Sequence, residues 1–172
     1  MNKVNKKELD KINNLVLFFS KEIKLHLGLK KLAKLFYFVD FTAFELEKKS
    51  ITNLEYKAFP YGPMPTDFYK HLKRMEKEGL IKLKVSNEKY IPSSIQSLKE
   101  DIDLSVFSEV EKQIIEDIKE KFKYSTAREI ELVAKNEPPY KMVKSREVIP
   151  YHLAFYRNSF DEMSLGNENS DS

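Results

Sequence analysis

Apolar residues recur at spacings of three and four over residues 7–23, where Leu9, Ile12, Val16 and Phe19 form one stripe, and predict an opening amphipathic helix. Gly28 interrupts the pattern. The next helix, over 29–48, carries Leu32, Leu35, Phe36, Val39, Ala43 and Leu46 on one side and Phe38, Phe41 and Phe44 elsewhere. A helix apolar on most sides is enclosed by its neighbours, so this one is expected at the centre of the core. Residues 54–59 alternate apolar and polar and predict a short half-buried strand, stopped by Pro60, Gly62, Pro63 and Pro65. Thr66 is then placed to cap a helix to 78 that turns Phe68, Leu72 and Met75 inward, with Gly79 as its stop.

The segments 80–85 and 89–91 flank a polar Ser86-Asn87-Glu88 and read as a hairpin. With the earlier strand it predicts a three-stranded antiparallel sheet. Residues 93–105 read as a polar linker. Ser108 with Glu111 forms a capping box for a helix to about 122, and Thr126 with Glu129 repeats the signal for a helix to about 134. Pro138 can seed a short helix, and a last one is expected over 149–160 with Pro150 in its first turn. The expected fold is mainly α (α+β): a compact helical domain, residues 1–160, around a buried central helix. The order helix, strand, helix, hairpin gives a partly winged-helix-like outline, without the tight helix pair that precedes a recognition helix.

A chain of 172 residues with 41% hydrophobic and 12% aromatic content can bury a core without staples. The absence of cysteine removes disulfides, thiolate metal sites and cysteine nucleophiles. No apolar stretch follows the charged N-terminal residues and no uninterrupted run approaches a membrane span, so a cytoplasmic location is expected. Charge is split: residues 1–92 hold 19 Lys/Arg against 11 Asp/Glu, whereas 93–172 hold 11 against 16. An acidic partner for the first half, an acidic interaction tail, or two complementary surfaces of one domain all fit that division. Residues 161–172, rich in Asn, Ser and acid, are expected to be a disordered acidic tail.

The motif search is mostly negative. His26, His71 and His152 lie in separate segments without a second ligand at i, i+4, and four glycines cannot build a phosphate loop. Neither a metal, a cofactor nor a small-molecule substrate is expected, nor is an enzyme, since no second carboxylate accompanies Asp40 at a spacing fit for acid/base work. Asp40, in an apolar run, needs a partner for its charge, structural or functional. Lys70, Lys73, Arg74 and Lys77 line one side of the third helix, with Lys82, Lys84 and Lys89 following; this side is either a solvated face or a phosphate grip. Tyr61-Gly62-Pro63-Met64-Pro65 is a rigid turn whose Tyr61 and Met64 either pack inward or present apolar contacts to a partner.

Two stretches carry a resemblance: the run from Lys31 to Phe41, and Ala58-Phe59-Pro60-Tyr61-Gly62-Pro63-Met64 followed by Tyr69. They resemble the Lys-Leu-x-Tyr-like helix, the Ala-Trp-x-x-Gly-Pro-Val-like turn and the later Tyr of the Panacea domain, the SocA-like antitoxin family. The likeness extends over about residues 10–155, with Phe59 at the Trp-like position and Tyr140 where a Pro-Trp-like pair usually stands. It implies a bacterial or phage-borne antitoxin that neutralises a cognate protein toxin by direct binding, with delivery of the toxin to a protease as a variant of that role. Contact residues implied or read from the turn and basic helix are Tyr61, Pro63, Met64, Thr66, Lys70, Lys73 and Arg74. The family-motif residues Tyr37, Asp40, Tyr61, Gly62, Pro63 and Tyr69 have either a contact or a scaffold role. A winged-helix-like DNA-binding regulator is the alternative reading.

Overall fold

The computed structural model describes residues 4–25, 27–85 and 92–157. Helix α1, Lys6–Glu22, opens on a reciprocal cap in which the Asn5 side chain accepts from the Glu8 N–H at 2.8 Å while Glu8 accepts from the Asn5 N–H at 3.1 Å. Helix α2, Leu29–Glu47, is enclosed as its composition demands: every residue from Lys31 to Phe41 is buried. It packs against the first β-hairpin, two later helices and the C-terminal turn.

The main departure from the sequence reading is at the prolines. Strand β1, Tyr56–Phe59, pairs antiparallel with β2, Gly62–Pro65, in the register Tyr56↔Pro65 to Phe59↔Gly62. The turn expected at residues 61–65 is therefore mostly strand. Thr66 N–H donates to the Glu55 carbonyl at 2.9 Å. By the alternation of antiparallel pairs, Pro63 and Pro65 fall at positions where no inter-strand N–H is required, so their missing donors cost nothing. The opposite edge of β1 is covered by residues 146–149, with Arg146 N–H donating to the Ala58 carbonyl at 2.7 Å and Ile149 N–H to the Tyr56 carbonyl at 2.8 Å.

Helix α3, Phe68–Lys77, begins after Asp67, whose φ of 57° lies in the left-handed region. Thr66 does not cap it, because its hydroxyl is turned back to Glu55. Gly79, at φ 76°, ends it as expected. Strands β3, Ile81–Val85, and β4, Pro92–Ser97, form a second antiparallel pair, and β4 packs on α1. Residues 93–97 thus belong to a strand rather than a linker, and the segment 89–91 lies outside the described residues. The described strands make two separate two-stranded sheets instead of one of three strands. The helix-then-hairpin order of α3, β3 and β4 keeps part of the winged-helix outline, but a β-hairpin rather than a helix precedes α3.

Helix α4, Glu109–Phe122, carries both halves of the Ser108–Glu111 box, at 3.1 and 2.9 Å. Helix α5, Ala127–Lys135, is capped by Thr126, which accepts from Glu129 N–H at 3.1 Å. The short α6, Pro138–Lys141, starts at its proline. Beyond it the expected helix over 149–160 starts later, as a 3-10 turn, Tyr151–Ala154, that runs into helical residues 155–157, because Ile149 is recruited to the β1 edge and Pro150 occupies the cap without a side-chain bond; residues 158–160 lie outside the described residues. The proposed tail at 161–172 lies outside the described residues. No described helix is long and apolar enough to cross a membrane.

Candidate functional site

Three lysines are buried among the described residues, and their partners differ. Lys11 is paired with Glu111 of α4, its ammonium 2.8 and 3.0 Å from the two carboxylate oxygens. Lys31 donates to the Ser125 carbonyl at 2.5 Å in the turn that joins α4 to α5. Lys34 has no hydrogen-bond partner among the described residues, nor does the hydroxyl of Tyr37 one turn further on. These are the two polar residues of Lys34-Leu35-Phe36-Tyr37, the segment of α2 that carries the family resemblance.

Lys34 runs under the tip of the β1–β2 hairpin. A β-carbon on Gly62 would lie 2.6 Å from Lys34 Cε, and Gly62 holds a φ of 105°. Tyr61, next to it, is about a third exposed (36%). The Lys34 ammonium is 5.5 Å and that of exposed Lys30 5.8 Å from the Tyr61 ring centroid, within cation–π range. Phe59 stacks on the same ring, centroids 5.6 Å apart and planes 6° from parallel. The hairpin tip is tied to α6 by Tyr140, whose hydroxyl donates to the Phe59 carbonyl at 2.6 Å. Burial pulls the Lys34 pKa from 10.5 down to about 7; Glu131 of α5 opposes that shift, and Lys30 and Lys135 reinforce it.

Asp40 is a closed structural site. Its carboxylate accepts from the N–H groups of Ile51 at 3.0 Å and Thr52 at 2.8 Å, from the Thr52 hydroxyl at 2.5 Å and from the Tyr56 hydroxyl at 2.5 Å. Burial raises its pKa above the usual carboxylate value, and those donors hold it down in part. All four bonds fasten the turn after α2 and strand β1 to the central helix. Arg157 does the same for the C-terminal segment: its guanidinium reaches Glu137 at 3.0 Å, Glu45 at 2.9 Å and Thr42 at 3.0 Å. The Tyr37 hydroxyl lies in the field of that cluster, and burial pushes its pKa well above 10.0.

The residues expected to touch a partner divide sharply. Pro63 and Met64 are buried, packing β2 onto α2, and so are not exposed contacts. Tyr61, Lys70 and Lys73 are exposed, Thr66 and Tyr69 half-buried, and Lys73 lies 5.6 Å from the Tyr69 ring centroid. Arg74 is held by Asn13 at 2.7 Å and Glu78 at 3.0 Å. Thr66, Asp67 and the half-buried His71 line an open groove of about 610 Å³ with Glu55 and Lys57. His71 is pulled below its ordinary pKa by burial and by Arg74. Among the described residues no three His, Asp or Glu side chains converge as metal ligands.

Lys30, Lys34 and Arg157 have no individual role in the sequence patterns, and Tyr140 stands out there only by its place in the family resemblance. The available signal was two lysines, Lys31 and Lys34, inside a helix apolar on nearly every side. The family described as "Antitoxin SocA-like, Panacea domain" matches residues 32–141, a span that contains α2 from Leu32 onward and the whole hairpin. No curated protein and no solved structure matches the chain.

Proposed function

Because the chain belongs to the SocA-like Panacea antitoxin family, we propose that it neutralises a cognate protein toxin by direct binding, without catalysis of its own. The observation that carries the choice of surface is Tyr61, an exposed aromatic at the tip of a proline-stiffened hairpin, next to Lys30 and Lys34. Rigid aromatic side chains give contact area with little ordering entropy, and interfaces favour them. The contact set is Tyr61, Thr66, Lys70 and Lys73, while Pro63, Met64 and Gly62 shape the hairpin from within.

Co-expression with each immediately neighbouring reading frame tests the reading. A neighbour that arrests growth alone, and is both rescued and co-purified by this chain, supports it. Degradation of the rescued toxin would add the protease-adaptor role. Were neither neighbour toxic nor bound, the exposed Lys70, Lys73, Lys77, Lys82 and Lys84 would become the surface to examine, and affinity for DNA falling steeply with salt would favour the regulator reading.

A further inference from the structure

We propose that Lys34, Lys30 and Tyr61 form a receptor for a carboxylate, an Asp or Glu side chain of the partner protein that enters beside the Tyr61 ring at the hairpin tip. The inference rests on the antitoxin reading for the identity of the partner as a protein. Its basis in the molecule is separate.

Lys34 is fully buried and its ammonium has no acceptor among the described residues, whereas the two other buried lysines, Lys11 and Lys31, are each supplied with one. A buried amine left unpartnered forfeits hydrogen bonds it had in water, a cost of about 1–3 kcal/mol or more that packing alone does not return. Replacing it by a leucine or methionine would avoid that cost, yet the fold accommodates the amine. Gly62 gives up its side chain to leave room for the Lys34 stem, at a φ that other residues rarely adopt.

The surroundings select an anion of limited charge. Lys30 on α2 and Lys135 on α5 add positive potential, and Glu131 on α5 is the acid that offsets it. No ion pair within 4 Å joins Lys30 or Lys34 to any described carboxylate. An incoming carboxylate accepts a charge-assisted hydrogen bond from Lys34 in a low-dielectric setting, where such bonds are strongest. A phosphate dianion would meet the Glu131 charge twice over. Tyr61 is the movable cover: it is partly exposed at the turn, lies against both cations and stacks on Phe59, and exposed side chains change rotamer within nanoseconds.

The test uses the full chain and sodium acetate as the carboxylate, with sodium chloride keeping ionic strength constant, and reads the lysine side-chain carbon and nitrogen signals by NMR across a pH titration. Acetate should shift the Lys34 signals and raise its midpoint by about one unit, since an adjacent opposite charge favours the ammonium. K34M, which fills the same channel without a charge, should remain folded and lose the response; K73M should keep it. Identical traces in acetate and chloride would overturn the proposal. So would a response to phosphate but not acetate, which would point to nucleic acid instead. Growth rescue by a chain lacking the acetate response would remove this receptor and leave the antitoxin reading intact, whereas a clear response without any toxic neighbour would do the reverse.

Discussion

Gly62 and Lys34 occupy one another's space: a β-carbon on the glycine would stand 2.6 Å from Cε of the lysine. Two stretches far apart in sequence, the helix run and the Gly-Pro turn, are therefore one packing unit, and each explains the residue type of the other.

That relationship makes Gly62→Ala costly in two separable ways. The φ of 105° alone should cost about 1–3 kcal/mol, and the clash adds to it. In a Lys34→Ala background the clash is gone and only the backbone term remains. Chemical denaturation of the four proteins in the cycle should give a smaller loss for Gly62→Ala when Lys34 is absent. Equal losses in both backgrounds would show that the lysine stem yields freely.

Lys34 also sets a pH dependence. Its folded pKa of about 7 lies below the ordinary 10.5, so between those values the unfolded chain binds the extra proton. Stability then climbs as pH rises through that window, by at most roughly 1.4 kcal/mol per unit. The buried Tyr37, Tyr56 and Tyr151 hydroxyls, all pushed well above 10.0, act in the opposite sense only above pH 10. Denaturation of the wild type and K34M between about pH 7 and pH 9 should give a rising curve for the first and a flatter, higher one for the second.

Removing the Asp40 carboxylate leaves two N–H groups and two hydroxyls without their acceptor. Asp40→Ala should destabilise by about 3 kcal/mol or more, the sum of several buried groups left unpaired. Asp40→Asn retains an acceptor oxygen and should lose less. A neutral effect of the alanine variant on the melting temperature would mean water takes over all four donors.

Arg157 is the fastening of the C-terminal segment. Arg157→Met removes the guanidinium that pairs with both Glu137 and Glu45, a loss of about 3–5 kcal/mol for a broken buried pair. Limited proteolysis should then cut within residues 144–157 before any other described region. Adding Glu137→Gln should recover part of the stability, because the carboxylate that Arg157 neutralised is then uncharged.

Tyr61→Ala should weaken rescue from a toxic neighbour without lowering the melting temperature, since the ring is partly exposed at the turn, where it stacks on Phe59 beside two lysines. Met64→Ala should do the opposite, lowering stability by about 2 kcal/mol or more as a buried methionine truncation. Full rescue by the Tyr61 variant would move the contact surface off the hairpin tip.

Much of the helical frame is legible in the residues alone. The three-and-four spacing of apolar positions marks α1 and α2, and the Ser108 and Thr126 caps mark α4 and α5, because these signals are local and act within one turn of chain. The sheet is less legible. Pro63 and Pro65 argue against a strand unless the pairing register is known, and the register depends on Glu55 and Thr66 meeting across the hairpin. The later start of the final helix has the same origin, since Ile149 is drawn to the β1 edge by a contact more than ninety residues away in sequence.

The sequence by itself determined that α2 is central, since a helix apolar on nearly every side has nowhere else to go, and it carried the family in the residues of that helix and of the Gly-Pro turn. It could not say what the lysines in α2 do. Whether a buried ammonium meets Glu111, the turn between α4 and α5, or no described acceptor is decided by which elements arrive beside it, and that is a property of the packed chain alone. The tertiary structure likewise decided that Met64 lies inside and Tyr61 outside, because β2 is buried at every position where it packs against β1, α2 and α5, whereas Tyr61 emerges at the turn.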